Sequence, residues 1–164
     1  MSIAVRSGVA AWLVLVAASP ALAATLHADV ARATLAGAGA DIGTVTISDS
    51  ARGAEVKVSL RGLTPGQHAF HIHQNPSCAP GLVKGQMVAA GAAGDHYGMT
   101  GASMGPGAMP ALGDLPSLTV TVDGTDSERL LAPRLTNVAE LNGHPVMIHA
   151  GDGTTARIAC GLLK

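Results

Sequence analysis

The chain has 164 residues, with ten basic side chains against eleven acidic ones and a formal net charge of -1. That length suggests one domain, and the charge balance argues against bulk binding to nucleic acid or to an anionic membrane surface. Aromatic residues are confined to Trp12, Phe70 and Tyr97, so the core must be built from Val, Leu, Ile and Ala.

The first segment has the pattern of an export signal. Arg6 supplies a positive start, Gly8 to Ala18 form a short apolar run, and Ala21-Leu-Ala23 is a small-x-small cleavage site. The run is too short to serve comfortably as a transmembrane helix. Residues 1–23 are therefore expected to be removed. Residues 24–164 would remain as one domain without a membrane span, periplasmic or secreted. Export places Cys78 and Cys160 in an oxidising compartment. They allow one intramolecular pairing, which on the chain-entropy account would stabilise by roughly 4 kcal/mol. A pair of free buried thiols is the alternative.

Period-2 patterns predict strands over Val30 to Leu35, Ile42 to Ser48 and Ala54 to Leu60. Asp49 to Gly53 and Thr64-Pro-Gly66 carry turn chemistry. Further strands are expected over Gln67 to His73, Leu118 to Val122, Pro145 to His149 and Thr155 to Cys160. No confident helical period follows Ala24. Many short strands with frequent turns predict an antiparallel sandwich or barrel. Asn75 to Pro116 is read as one long loop without periodicity, kept because its two ends carry chemistry.

That chemistry lies in the histidines. His71-Ile-His73 places two imidazoles on one face of a strand. His149 ends another predicted strand and His96 sits in the long loop. Imidazole suits copper and zinc, and a set of four neutral nitrogens would favour copper(II). His27, His68 and His144 are assigned to the surface or to supporting positions.

Several words of the sequence then point to one family. Gly66-Gln-His-Ala-Phe-His-Ile-His73 resembles the copper-binding strand of the copper–zinc superoxide dismutases. Ser77-Cys78, Gly94-Asp-His96, Leu112-Gly-Asp-Leu-Pro116, Leu131-Ala-Pro-Arg-Leu135, Val146-Met-Ile-His149 and Arg157-Ile-Ala-Cys-Gly161 match further motifs of its bacterial members in order. The resemblance implies an all-β, Greek-key, immunoglobulin-like sandwich closed as a flattened eight-stranded barrel. It implies that His71, His73, His96 and His149 bind copper and that Cys78 and Cys160 form a structural disulfide. Arg157 would attract and position the superoxide anion, and His96 would move a proton. The partner implied is superoxide, for a monomer or homodimer that binds no nucleic acid.

The sequence also departs from the family. The two further zinc histidines align with Ser103 and Ala111, leaving His96 and Asp114, too few for a closed zinc site. The long electrostatic loop is missing, because seven residues separate His149 from Arg157. The chain thus resembles a copper-only subgroup, with zinc expected to be absent. Metal-bound histidines commonly donate their second N–H to a carboxylate. Asp114 is expected to orient His96 in this way, with Asp95 and Asp152 as second choices and a mere turn cap as the alternative role. Met99, Met104 and Met109 near His96 raise a different function, a copper carrier or buffer on the same fold, because thioethers are soft ligands for copper(I). They could equally fill gaps beneath a glycine-rich loop.

Overall fold

A computed structural model describes residues 23–100, 109–151 and 154–164. The export signal upstream of Ala23, the positions Ser103 and Met104 and the candidate Asp152 lie outside the described residues.

The chain is all-β. β1 (Thr25–Thr34), β2 (Gly37–Ser50) and β3 (Gly53–Leu60) form an antiparallel meander. β4 (Gly66–His68) and β5 (Phe70–Ile72) follow, then β6 (Gly81–Val83), β7 (Gln86–Val88), β8 (Leu118–Val120), β9 (Arg129–Ala132), β10 (Pro145–His149) and β11 (Arg157–Leu162). The main sheet runs β5-β10-β11-β1-β2-β3-β9, and every pairing in it is antiparallel. β4 leaves that sheet to pair with β8, and backbone bonds from Leu60 to Asp126 join β3 to the chain beyond β8. The result is a curled half-barrel.

Strand alternation decides what goes inside. In β3, Val56, Val58 and Leu60 are buried while Lys57 and Ser59 are not. They pack with Val45 and Ile47 of β2, Val30 of β1, and Phe70, Ile72 and Ile148. β10 is buried along its whole length. Asp49 closes the N-terminal end: its carboxylate accepts the Ala24 amide at 2.8 Å and the Val138 amide at 2.9 Å. Among the described residues no helix is long and apolar enough to cross a membrane.

Two expectations are corrected and one strand is added. The strand expected over Gln67 to His73 divides at Ala69, whose carbonyl accepts the His149 amide at 2.9 Å where the chain changes partners. β9 escapes the alternation pattern because Arg129-Leu-Leu-Ala132 is short and its apolar residues are adjacent. The long loop is also less irregular than its composition suggests. It holds the hairpin β6–β7 and a 3₁₀ turn over Gly91–Ala93. Lys84 and Gly85 adopt φ of 50° and 80°, the left-handed pair that matches a two-residue hairpin turn to strand twist.

Candidate metal centre

Backbone pairing places the histidines. β5 lies antiparallel beside β10, with His71 opposite Met147, so the end of β10 at His149 comes beside the start of β5. The returning loop is then bonded along β5. Gln74 donates its amide to Asp95, Tyr97 to Ile72, Ile72 to Gly113, and Leu115 to Phe70. His96 thereby forms a bridge with His73, and Asp114 with His71. The approach is close enough to demand glycine at 113, where a Cβ would lie 2.3 Å from the Ile72 carbonyl oxygen.

One ligand atom from each of His71, His73, His96 and His149 lies within 4.8 Å of the others. The His71 and His96 rings stack at 3.9 Å, and His71 meets His149 edge-on at 4.9 Å. The ring orientations are fixed by bonds on the far nitrogens. His73 Nδ1 donates to the Gly94 carbonyl at 2.9 Å, His149 Nδ1 to Thr155 at 3.0 Å, and His96 Nδ1 to Asp114 Oδ1 at 2.7 Å. Each donation leaves Nε2 with its lone pair.

Three nitrogens at the centre, His71 Nδ1, His73 Nε2 and His149 Nε2, are buried without a hydrogen-bond partner. Buried polar atoms are rarely left so unless something else binds them. Burial, helped by the neighbouring imidazoles, pushes the His71 pKa down to about 3. Burial takes His73 to about 3 as well, against the opposing effect of its bond to Gly94, and also lowers His149. Neutral imidazoles with converging lone pairs form a metal-ready set, and an all-nitrogen set fits copper.

His71, His96 and His149 line a cavity of about 290 Å³ with Val83, Val88, Asp95, Met99, Thr155 and Arg157. The Arg157 guanidinium is held by carbonyls, at 2.8 Å from Ala90 and 2.7 Å from Gly94. Partial burial lowers its pKa, and the nearby Asp95 raises it. Cys78 and Cys160 form a disulfide with Cα atoms 5.8 Å apart, anchoring the loop that supplies those carbonyls to β11.

The structure therefore brings together His71, His73, His96, His149, Asp114 and Arg157, and it pairs the cysteines. Of the second choices, Asp95 is exposed in the cavity wall rather than behind His96. Two of the histidines assigned to the surface or to supporting positions prove to support the centre. His68 is fully buried, with Nδ1 2.6 Å from the His149 carbonyl oxygen and Nε2 2.8 Å from that of Thr64. His144 Nδ1 lies 2.9 Å from the His73 carbonyl oxygen, and its ring meets Tyr97 edge-on. The signal available for His68 was its place in the same strand word as His71 and His73. His144 had none, since its partner is a backbone atom.

A family model described as copper/zinc superoxide dismutase (SODC) matches residues 42–163. The superoxide dismutase [Cu-Zn] of Brucella abortus is 40 % identical over an alignment of 169 residues, covering 95 % of this chain and 97 % of the relative. Its solved structure superposes with a TM-score of 0.77 at 40 % identity, over 86 % of this chain and all of that one. The solution structure of the monomeric copper, zinc enzyme from Salmonella enterica gives a TM-score of 0.75 at 38 % identity, with the same coverage. Sequence, backbone and the histidine centre within the matched span agree, and the chain belongs to the copper/zinc superoxide dismutase family.

Proposed function

We propose that this chain is an exported, copper-dependent superoxide dismutase that works without zinc. His71, His73, His96 and His149 hold the copper, through the unpartnered nitrogens His71 Nδ1, His73 Nε2 and His149 Nε2 and through His96 Nε2. When bound, copper supplies the one-electron exchange by which two superoxide ions and two protons become oxygen and hydrogen peroxide. Arg157 draws the anion into the cavity and orients it, a task suited to a permanently charged planar fork. His96 keeps one proton on Nδ1 through Asp114, so Nε2 is the atom that holds metal or carries the transferred proton.

The observation that carries the zinc-free reading is that, among the described residues, the only cluster of three or more metal-ligating side chains is the four-histidine set. His96 Nδ1 and Asp114 Oδ1, 2.7 Å apart, therefore stand without the further ligands a closed zinc site needs. The other carboxylate oxygen accepts the Ala111 amide at 2.8 Å, and Ala111 offers only a methyl group where the family has a ligand. Removal of residues 1–23 and a periplasmic or secreted destination belong to the same proposal. The N-terminal residue after export is read by mass spectrometry.

The test is superoxide turnover of the mature protein loaded with copper in zinc-free buffer, with metals counted on the same sample. Fast turnover at one copper and no zinc per chain is expected. Tight copper binding with negligible turnover would favour the carrier or buffer reading. That reading draws on Met99 in the cavity wall and on Met109, which is 69 % exposed. Replacing Met99, Met104 and Met109 with leucine costs an enzyme little and a carrier its copper(I) affinity.

A further inference from the structure

Asp114 is itself held from behind. It stands at the inner end of a turn that starts at Pro110, and the two halves of that turn are anchored differently. The inner half is tied to the barrel: Gly113 donates its amide to the Tyr97 carbonyl at 2.8 Å, and Leu115 to that of Phe70 at 3.1 Å. The outer half is gripped across a cleft by Arg134, from the turn that follows β9. Its Nη1 donates to the Pro110 carbonyl at 2.5 Å and its Nη2 to the Ala111 carbonyl at 2.7 Å. Ala111 in turn donates its amide to Asp114 Oδ2 at 2.8 Å and accepts the Asp114 amide at 3.2 Å. Asp114 Oδ1 completes the path at His96 Nδ1.

We propose that Arg134 is a positioning residue for His96, acting through Ala111 and Asp114. The inference rests on the zinc-free reading, in which Asp114 alone sets the ring. A carboxylate bound to one mobile backbone amide could swing about its own χ angles and leave the imidazole free to rotate. Pinning both carbonyls of residues 110 and 111 fixes that amide, and so fixes the plane of the carboxylate. Arginine suits the role because its rigid fork can bond two successive carbonyls at once, whereas a lysine ammonium is a single point on a flexible stem. Arg134 touches no reacting atom. Its contribution is to keep Nδ1 of His96 as the protonated nitrogen whether or not Nε2 is engaged.

The experiment uses the full mature chain, metal-free and copper(I)-loaded, and follows the His96 Nδ1–H proton by NMR. Copper(II) EPR parameters are a second readout. Arg134→Ala is expected to speed exchange of that proton with water about tenfold, the effect of losing roughly one hydrogen bond, and to shift the EPR signal. Arg134→Lys should restore part of the protection. If Arg134→Ala does not fold, the comparison rests on Arg134→Lys, which is expected to exchange faster than the unaltered chain. Unchanged exchange and EPR in the arginine variants, with or without a lower melting temperature, overturns the proposal. Asp114→Asn separates the two levels. Faster exchange there with none in the arginine variants removes Arg134 alone, while no effect in either removes the zinc-free reading beneath it.

Discussion

His73 and Arg157 share one acceptor. The Gly94 carbonyl takes the His73 Nδ1–H at 2.9 Å and an Arg157 Nη2–H at 2.7 Å. One peptide oxygen therefore orients a metal-facing ring and the cation at the cavity wall together. Gly94 adopts φ of 73°, and a Cβ there would lie 2.6 Å from Asn75 Nδ2. Gly94→Ala is expected to displace the carbonyl and weaken two properties in parallel. Copper affinity, read by competitive titration, and azide affinity of the copper(II) protein, read from its visible band, should each fall about tenfold, the scale of one lost hydrogen bond. A loss of one without the other would show that the carbonyl does not couple them.

Removing the metal should leave a protein sensitive to acid. His71 and His73 have folded pKa values of about 3 against an ordinary 6.5. Between those values the unfolded chain binds more protons than the folded one, so stability falls as pH falls. It is fully present above about 6.5 and is lost progressively toward about 3. Thermal melts of the metal-free protein should show a falling midpoint across that window. His71→Asn should flatten the slope.

Asp126 has the opposite sign. It is 3 % exposed, and burial first, then the Glu128 charge, raises its pKa to about 6. The folded state holds the proton more tightly than the unfolded state does. The associated stability is full below the ordinary value of 3.8 and is lost as pH rises through about 6. Asp126→Asn should therefore raise the melting midpoint by a few degrees at neutral pH and change it little at pH 4. A lower midpoint at neutral pH would mean that the ionised carboxylate is stabilised by its surroundings.

The disulfide closes a separation of 82 residues. Replacing both cysteines with serine should cost about 4 kcal/mol on the chain-entropy account, measured by denaturant titration. Because Cys78 precedes the loop whose Ala90 and Gly94 carbonyls hold Arg157, azide affinity should fall in the same variant.

Which parts of this centre could be read in advance follows from where the information sits. Val56, Val58 and Leu60 alternate with polar residues because one face of β3 meets the core, so the strand was visible. His71 and His73 were visible because strand period puts residues two apart on one face. Asp114 was visible as an aspartate retained where its zinc partners are missing. The backbone acceptors were not. Gly94, Thr155 and the carbonyls of Pro110 and Ala111 work through peptide oxygens that every residue carries, so sequence leaves no mark of them. The division of the strand at Ala69 was hidden for the same reason, because a change of hydrogen-bonding partner alters no side chain.

The backbone bonds that join Tyr97, Ile72 and Gly113 also form a neck. Tyr97 and Gly113 enter and leave the outer part of the loop side by side, each bonded to Ile72 and to the other, with His96 just before the entrance and Asp114 just after the exit. Three peptide units thus hold His96 and Asp114 on either side of the loop's mouth, while Pro110 and Ala111 inside it stay tied to Arg134. A substitution that opens this neck should therefore displace His96 and Asp114 together.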